Sequence, residues 1–227
     1  MKSDDRLILY VGEKNISSWS MRGFLALAVK NLEFEERTIS LREDKDRARR
    51  SEVSPTGKVP VLHHAIDGQT RVIPDSLAII EYLEETYPPP GHPALWPEDR
   101  SQRAHARWLA AAMHSGFMKL RESMSFNLCF LPKQPEPTPE ALAEAGEVLH
   151  YWEEALARGG SASGPFLFGG FGAADIMYAP VVVRLTAFRV PAARTPKAAE
   201  YMKQVLAHPP VRRWMDPARA LPPYESY

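Results

Sequence analysis

Residues 54–88 read SPTGKVPVLHHAIDGQTRVIPDSLAIIEYLEETYP, and this stretch decides the fold. Two apolar runs flank the Asp-Gly pair at 67–68, a pattern typical of a β-hairpin with a two-residue turn. The segment that follows has Leu77, Ile80 and Leu83 at helical spacing, which predicts an amphipathic helix with one buried face. Together they predict a hairpin closed by a helix.

The residues before this stretch predict two strands and two helices. Arg6 to Val11 is short and apolar and suits a buried strand. Apolar spacing predicts a helix from Ser20 to Lys30, which Asn31 can end. The segments LEFEERTIS and LREDKDRARRSEV then predict a second strand and a charged, solvated helix. The order over residues 1–86 is therefore β-α-β-α-β-β-α.

The sequence changes character at PPPGHPALWP, residues 88–97, which contains five prolines and one glycine. Such a segment suits neither a helix interior nor a paired strand, so we assign residues 87–98 to a linker. Residues 99–227 form a second domain that reads helical as far as about Leu206, with loops at 131–139 and 169–172. The predicted fold class is α/β followed by all-α.

Composition limits the partners and the location. The 28 Lys and Arg balance the 28 Asp and Glu, so no global charge attracts nucleic acid or an anionic membrane. Cys129 is the only cysteine, which excludes an intramolecular disulfide and a cysteine-based zinc site. The N-terminus lacks a signal-peptide pattern, and no run approaches the roughly 18 apolar residues of a membrane span. We therefore expect a soluble, cytoplasmic protein without a metal.

Two short features of the opening stretch suggest a binding site. Pro60 follows Val59 at the start of a predicted strand, and a cis bond there would expose the Val59 backbone. Asp75 and Ser76 begin the next helix, where free N–H groups favour a ligand carboxylate and Asp75 can take a cationic amine. These residues can grip the α-amino acid end of a ligand. Alternatively, Asp75 or Ser76 is a helix N-cap.

Four segments follow one another along the chain: SPTGKVPVL, IPDSLAIIEYLEETYP, the Pro-rich linker and FGAADIMYAP. With these segments in this order, nearly the whole chain resembles a cytosolic glutathione transferase. SLAIIEYLEETYP is most similar to the zeta class, the maleylacetoacetate isomerases. The resemblance implies a thioredoxin-like first domain that binds glutathione as co-substrate. It also implies a helical-bundle second domain that provides most of the electrophile pocket, and a two-fold homodimer.

The same resemblance suggests a role for the stretch NISSWSMR, residues 15–22. In serine-type members a hydroxyl after the first strand donates a hydrogen bond to the glutathione sulfur and favours its thiolate. The five-residue spacing before Arg22 assigns this role to Ser17, with Ser18 as the alternative, whereas an ungapped zeta-like alignment places Asn15 there. A purely structural interpretation makes Ser17 or Ser18 the helix N-cap.

The resemblance also implies the remaining contacts of glutathione. Lys58 reaches the glycyl carboxylate, although a solvated surface lysine is an equal alternative. Val59 presents its backbone to the cysteinyl part, and a cis Pro60 exposes that backbone. Asp75 and Ser76 hold the γ-glutamyl end.

The electrophile pocket is assigned by resemblance to the helix MHSGFMKLRESMSFNL. His114, Phe117, Met118 and Arg121 are its candidate residues. A Met and aromatic stripe is more often core, and His114 has no identifiable partner for a metal site or triad. Arg121 either steers an acidic substrate or forms an ion pair on the side of the helix that carries Glu122.

Other polar residues are interpreted as structural. Gly172 is expected to begin a buried helix, with Asp175 bonding back to its N–H. Pro180 is expected to kink that helix. His63 and His64 are expected on the surface beside the hairpin turn.

The predicted function is that of a detoxifying transferase, which adds the glutathione thiolate to a small hydrophobic or acidic electrophile. Isomerase or peroxidase activity is compatible with the same site. NISSWSMR lacks the cysteine and second arginine of the zeta signature, which weakens the isomerase as the specific activity. The alternatives are a maleylacetoacetate-type cis-trans isomerase and a non-catalytic binding module with the same fold.

Overall fold

The computed structural model describes residues 5–43, 46–160 and 164–224. Its contacts divide the chain into one compact unit that ends at Leu95 and another that begins at Trp96. The elements of the first unit are β1 (Arg6–Val11), α1 (Ser18–Val29), β2 (Glu35–Thr38), α2 (Asp46–Val53), β3 (Val61–Ile66), β4 (Gln69–Pro74) and α3 (Ser76–Thr86). The predicted β-α-β-α-β-β-α order is confirmed.

The four strands form one mixed sheet in the order β2-β1-β3-β4. β1 is parallel to β2 and antiparallel to β3, and β3 is antiparallel to β4. The hairpin turn has positive φ angles at Asp67 (51°) and Gly68 (72°), as a type I′ turn requires. The hairpin predicted around Asp67-Gly68 is confirmed.

Helix α1 is buried on almost every side. Met21, Leu25 and Leu27 are fully buried, and the helix packs against α3. At Gly23 the helix passes so close to Pro60 that a Cβ on Gly23 would lie 2.9 Å from the Pro60 Cβ. A glycine is therefore required where α1 crosses the start of β3.

Polar contacts tie the ends of α1 and α3 together. The buried Lys30 ammonium donates to the Tyr87 carbonyl at 2.8 Å and forms an ion pair with Glu84. The Pro-rich segment packs on the same unit, because the Leu95 N–H donates to Glu84 Oε2 at 3.0 Å and His92 Nδ1 lies 3.0 Å from the Lys30 carbonyl. These bonds hold the end of the unit to its core.

The second unit is helical throughout most of its described length. Its elements are α4 (Arg100–Ser115), α5 (Met118–Ser123), a 3₁₀ helix (Phe126–Phe130), α6 (Pro139–Ala155), a π turn (Leu156–Gly160), α7 (Ala173–Ala187), α8 (Pro196–Ala207) and α9 (Pro209–Ala220). The core is aromatic: Trp152 lies edge-on to Tyr178 and Tyr201, with centroid distances of 5.4 and 5.2 Å. Helix α7 lies in this core.

Asp175 caps the start of α7 from inside the unit. Its side chain is buried, with Oδ2 accepting from the Gly172 N–H at 2.9 Å and Oδ1 accepting from the Leu167 N–H at 3.1 Å. Burial raises the pKa of Asp175 to about 6, against the opposing effect of these two donors. The expected backward bond from Asp175 is confirmed.

Two helical expectations for the second unit were wrong. The expected single helix through MHSGFMKL breaks after Ser115, because Gly116 closes α4 and Phe117 has a left-handed φ of 58°. The chain also remains helical beyond Leu206, where Pro209 and Pro210 occupy the first turn of α9 and need no intrahelical donor.

We predict that Asp175→Ala lowers the free energy of unfolding by about 3 kcal/mol, since it removes a cap and leaves buried N–H groups without an acceptor. The matched control is Asp99→Ala, which removes the exposed N-cap of α4 and should cost about 1 kcal/mol. Urea unfolding of the three proteins measures both values. Equal losses in the two variants would contradict the buried role of Asp175.

Candidate active site

Three chain segments meet at one end of the sheet in the first unit. Tyr10, near the end of β1, pairs with Val61 at the start of β3, and Val61 pairs with Pro74 at the end of β4. The loop after β1, the residues before β3 and the residues after β4 therefore lie side by side. This end of the sheet brings together the predicted residues at 15–18, 58–60 and 75–76.

Ser17 is the N-cap of α1, and its hydroxyl is part of a buried hydrogen-bond chain. Ser17 Oγ accepts from the Ser20 N–H at 3.1 Å and donates to Ser20 Oγ at 2.8 Å. Ser20 Oγ also accepts from the Gly12 N–H at 3.0 Å. The capping interpretation of Ser17 is confirmed, and Ser20 is a partner that sequence reasoning missed.

Asn15 and Ser18 are buried beside Ser17 in the same loop and first turn. The Arg42 guanidinium lies 3.5 Å from the Asn15 side-chain oxygen. Ser18 begins α1 itself, one residue after the cap. All three candidates for the sulfur-facing position thus lie within four consecutive residues, at the start of one helix.

Glu13 fixes the loop that presents these residues. Its carboxylate accepts from the Ser40 hydroxyl at 2.7 Å and from the Leu41 N–H at 2.9 Å, and it lies 3.7 Å from the Arg42 guanidinium. These contacts join the loop after β1 to the chain that leaves β2. No sequence pattern identified Glu13, because its partners are 27 to 29 residues away.

The Val59–Pro60 peptide bond is cis, as the resemblance implied. Val59 is half-buried and lies two residues before the ladder of β3 begins, so its backbone groups are outside the paired register. The Lys58 side chain is exposed, and its N–H donates to Thr56 Oγ1 at 3.3 Å. Val59 therefore offers a backbone donor and acceptor at this end of the sheet.

Asp75 and Ser76 at the start of α3 differ in environment. Asp75 is exposed, caps the helix by accepting from the Leu77 N–H at 2.8 Å, and has a left-handed φ of 77°. Ser76 is fully buried, and its hydroxyl has no hydrogen-bond partner. A strained backbone beside an unsatisfied buried hydroxyl is typical of a ligand-binding position.

The second unit uses Arg121 for its own architecture. The Arg121 guanidinium donates to the carbonyls of Met113 and His114, the latter at 3.1 Å, and so caps the end of α4. Burial lowers the pKa of Arg121. Phe117 is buried with its ring edge-on to Tyr151 at 6.2 Å, whereas half of the Met118 side-chain surface is exposed. Glu122 pairs with Lys119 instead of Arg121.

His63 and His64 were both expected on the surface, and no burial was predicted for Cys129. His64 is fully buried, so the surface assignment was wrong for it, because β3 turns its side chain toward Asp5 and Tyr82. Burial raises the pKa of the Cys129 thiol to about 12, so this cysteine is protonated at neutral pH. His63 is half-buried, with Nε2 at 2.6 Å from the Val53 carbonyl.

Comparison with known proteins gives the family. Residues 16–86 match the model of the glutathione S-transferase N-terminal domain, and residues 135–216 match that of the C-terminal domain. The chain is also 32% identical to the maleylacetoacetate isomerase of Rattus norvegicus over 206 residues, which cover 88% of each protein. The chain belongs to the glutathione S-transferase family. The predicted family and fold class are confirmed.

Other glutathione S-transferase relatives support the same assignment. A probable maleylacetoacetate isomerase of Caenorhabditis elegans is 40% identical over 118 residues, 52% of this chain and 51% of the relative. A glutathione transferase homologue from Burkholderia BGR1, solved with bound glutathione, is 32% identical with a TM-score of 0.67, covering 95% of this chain and 99% of that one. A maleylacetoacetate isomerase from Anaeromyxobacter dehalogenans was solved with dicarboxyethyl glutathione and citrate in the active site. It is 26% identical with a TM-score of 0.66, and the match covers 94% of this chain and 92% of that one.

The chemistry at the sheet end fits a glutathione-sized peptide ligand. It offers an unpaired backbone segment at Val59, a carboxylate at Asp75 and an unsatisfied hydroxyl at Ser76. Among the described residues, no cluster of three or more His, Cys, Asp or Glu side chains has the arrangement of a metal site. In the same ranges, no helix has the length and hydropathy needed to cross a membrane.

We predict that Ser76→Ala leaves the free energy of unfolding unchanged or raises it by up to about 1 kcal/mol, because the variant removes a buried hydroxyl without a partner. Ser17→Ala is the matched control, since it removes a bonded N-cap at the start of another helix and should cost about 1 kcal/mol. Chemical denaturation compares them. A loss for Ser76→Ala as large as that of Ser17→Ala would mean that its hydroxyl is satisfied within the fold.

Proposed function

We propose that this chain is a glutathione-dependent enzyme whose first unit binds glutathione and presents its thiolate to a small electrophile. The observation that supports this most is the Ser76 hydroxyl, which is buried without a partner next to the strained Asp75 backbone. Within the fold, this hydroxyl has no hydrogen bond that offsets the cost of its burial. A ligand carboxylate would satisfy it.

In this proposal each end of glutathione has its own anchor. The γ-glutamyl carboxylate accepts from Ser76 and the N-terminus of α3, while the Asp75 carboxylate faces the ammonium group. The Val59 N–H and C=O pair with the cysteinyl backbone as a short antiparallel bridge. Lys58 is exposed and long enough to approach the glycyl carboxylate. These contacts hold the peptide along the end of the sheet.

We assign the hydrogen bond to the glutathione sulfur to the Ser17 hydroxyl. Its oxygen is held by the Ser20 N–H, while its proton is donated to Ser20 Oγ. The proton can turn to a thiolate without moving the oxygen, and a bond to an anion is roughly twice as strong as a neutral one. Ser18 and Asn15 are the alternatives, one at the first helical position and the other facing Arg42.

An isomerase is the second candidate activity. It is favoured by relatives named maleylacetoacetate isomerase, including the Rattus norvegicus protein at 32% identity. Such a reaction needs the same thiolate, which adds to a double bond and leaves again after rotation. A non-catalytic binding module is the third candidate, and it needs only the anchors at Val59, Asp75 and Ser76.

We assign binding of the electrophile to residues of the second unit. Phe117 and Met118 contribute apolar surface at the junction of α4 and α5, and His114 lies one turn before it. Arg121 acts there by holding the carbonyls at the end of α4, and its charge favours an acidic substrate. The proposed substrates are therefore small apolar or acidic electrophiles.

Three measurements on the purified chain separate the candidates. A transferase consumes glutathione thiol in the presence of an aryl halide, and the product gains the mass of glutathione. An isomerase converts maleylacetone at a constant thiol concentration. A binding module does neither but still binds glutathione in calorimetry, and a chain with none of the three properties would contradict the proposal.

We predict that Ser17→Ala raises the pKa of bound glutathione thiol by about two units, toward the free value near 8.5. The turnover number at pH 7 should fall at least about threefold, which is the net effect of lower ionisation and higher nucleophilicity, with little change in glutathione affinity. Thiolate absorbance and steady-state kinetics measure these effects. Ser18→Ala and Asn15→Ala are the comparison variants, and a larger thiol pKa change in either would move the assignment to that residue.

We further propose a cytoplasmic homodimer. The single cysteine suits a reducing compartment. Trp108 on α4 is 48% exposed, and its ring lies 5.4 Å from His105 and 5.1 Å from Tyr151. Large exposed aromatic clusters are typical of interface anchors.

Light scattering on dilute protein should therefore give about twice the 25.5 kDa of one chain, as expected for a C₂ dimer. Trp108→Glu should shift the mass toward one chain, because it places a charge in the proposed contact. Leu142→Glu is the control, since Leu142 is a similarly exposed apolar residue, at 42%, on another helix. A monomeric wild-type chain would reject the dimer.

A further inference from the structure

A buried hydrogen-bonded cluster lies at the other end of the sheet, away from the proposed glutathione site. His64 on β3 is fully buried, with Nε2 at 2.7 Å from Asp5 Oδ1 and Nδ1 at 2.7 Å from the Tyr82 hydroxyl. Asp5 directly precedes β1, and Tyr82 lies on α3. The proposed glutathione chemistry has no role for these three residues.

Tyr87 fixes the direction of the hydrogen bonds. Its hydroxyl donates to the Asp5 carboxylate, with distances of 3.1 and 3.3 Å to the two oxygens. Burial, and next the negative charge of Asp5, raise the pKa of Tyr87 well above its usual value, so its proton stays in place. Because Asp5 only accepts, His64 Nε2 must be the protonated nitrogen. In the neutral ring, the lone pair of Nδ1 therefore faces the Tyr82 O–H.

A cation lies on the outer side of the Tyr82 oxygen. Arg71 Nη1 on β4 donates to the Tyr82 hydroxyl at 3.4 Å, and this contact raises the pKa of Arg71. Arg71 is exposed and Tyr82 is half-buried, so this side of the phenol faces solvent. Tyr82 thus has a base on one side of its hydroxyl and a fixed positive charge on the other.

This arrangement has the parts of an activated nucleophile. The hydroxyl bonds to the Nδ1 atom of the His64 imidazole, and a carboxylate on the other ring nitrogen holds that imidazole in place. The same logic activates hydroxyl and thiol nucleophiles on unrelated folds, and tyrosine is among the side chains that form covalent adducts. A structural role alone would not require the imidazole lone pair to face an accessible phenol.

We propose that Tyr82 is a covalent modification site that accepts acyl groups from activated acyl donors, with His64 as general base and Asp5 as its positioning residue. The phenol oxygen attacks the acyl carbon, and the bond from that carbon to its leaving group breaks. The phenol proton passes to His64 Nδ1, and Asp5 stabilises the imidazolium. Arg71 stabilises the developing phenolate charge. The imidazolium then returns the proton to the leaving group through water.

Two other half-buried tyrosines are internal comparisons for this proposal. The Tyr10 hydroxyl accepts from Arg37 Nη1 at 3.2 Å, so Tyr10 has a neighbouring cation as Tyr82 does. The imidazole beside it, His63, has its Nε2 close to the Val53 carbonyl and not to the Tyr10 hydroxyl. The Tyr151 hydroxyl donates to Glu147, so its hydrogen-bond acceptor is a carboxylate and not an imidazole. Within the described ranges, the combination of imidazole, carboxylate and arginine occurs only at Tyr82.

The test treats the full-length native chain with limiting N-acetylimidazole and follows acetylation of each tyrosine by peptide mass spectrometry. We expect Tyr82 to react at least about tenfold faster than Tyr10 or Tyr151, the lower end of general-base effects. His64→Gln keeps an N–H for Asp5 but removes the base, and it should reduce the Tyr82 rate to that of Tyr10. Arg71→Gln, at an exposed position, should reduce it by a smaller factor.

The Tyr10 rate serves as the control for folding in every variant, because a disrupted sheet would change it. If His64→Gln fails to fold by circular dichroism, Asp5→Asn removes the charge that stabilises the imidazolium and should slow Tyr82 selectively. Equal rates at the three tyrosines in the wild-type chain would overturn the proposal. So would a Tyr82 rate unchanged in folded His64→Gln or Asp5→Asn. None of these outcomes depends on whether the chain binds glutathione.

Discussion

The close approach of α1 to Pro60 is the constraint on which the first unit depends. A side chain at Gly23 would collide with the Pro60 ring at 2.9 Å, and the Leu9 side chain lies just beyond at 3.5 Å. Glycine therefore sets the distance between the helix and the sheet. Because α1 begins only five residues earlier, the same contact decides where Ser17 and Ser18 lie relative to Val59.

Polar contacts then fix the loop after β1, whose position the packing of α1 alone does not determine. Glu13 joins the loop after β1 to Ser40 and Leu41, and Ser20 joins Ser17 to Gly12. All of these bonds are made by buried or half-buried groups, where a missing partner is costly. The loop is thus held by a small network instead of by a single cap, and Ser17 and Ser20 both belong to it.

The sequence was a good guide where the signal is local. The Asp67-Gly68 turn and the helix from Ser76 follow from neighbouring residues, and the structure has both. Burial of His64 was missed because Asp5 and Tyr82, its partners, are 59 and 18 residues away. The break at Phe117 was missed for a similar reason, since the helical pattern of apolar residues continues across it. Local sequence suggested Val59, Asp75 and Ser76 as binding residues. The role of Ser17 came from resemblance, because no local pattern links positions 17, 59 and 76.

A serine near the sulfur explains only a small part of the proposed chemistry. A thiol with a pKa near 8.5 is roughly 3% ionised at pH 7, and lowering the pKa by about two units makes roughly three quarters thiolate, a gain of about 24-fold. The weaker nucleophile loses about eightfold, for a Brønsted slope near 0.45, so about threefold remains. Most acceleration must come from holding thiolate and electrophile in contact, where effective molarities are very large. Under the proposed function, the packing of Gly23 on Pro60 and the Glu13 network, which hold the backbone around Val59 and Ser17 in place, therefore matter more to the rate than the hydroxyl of Ser17.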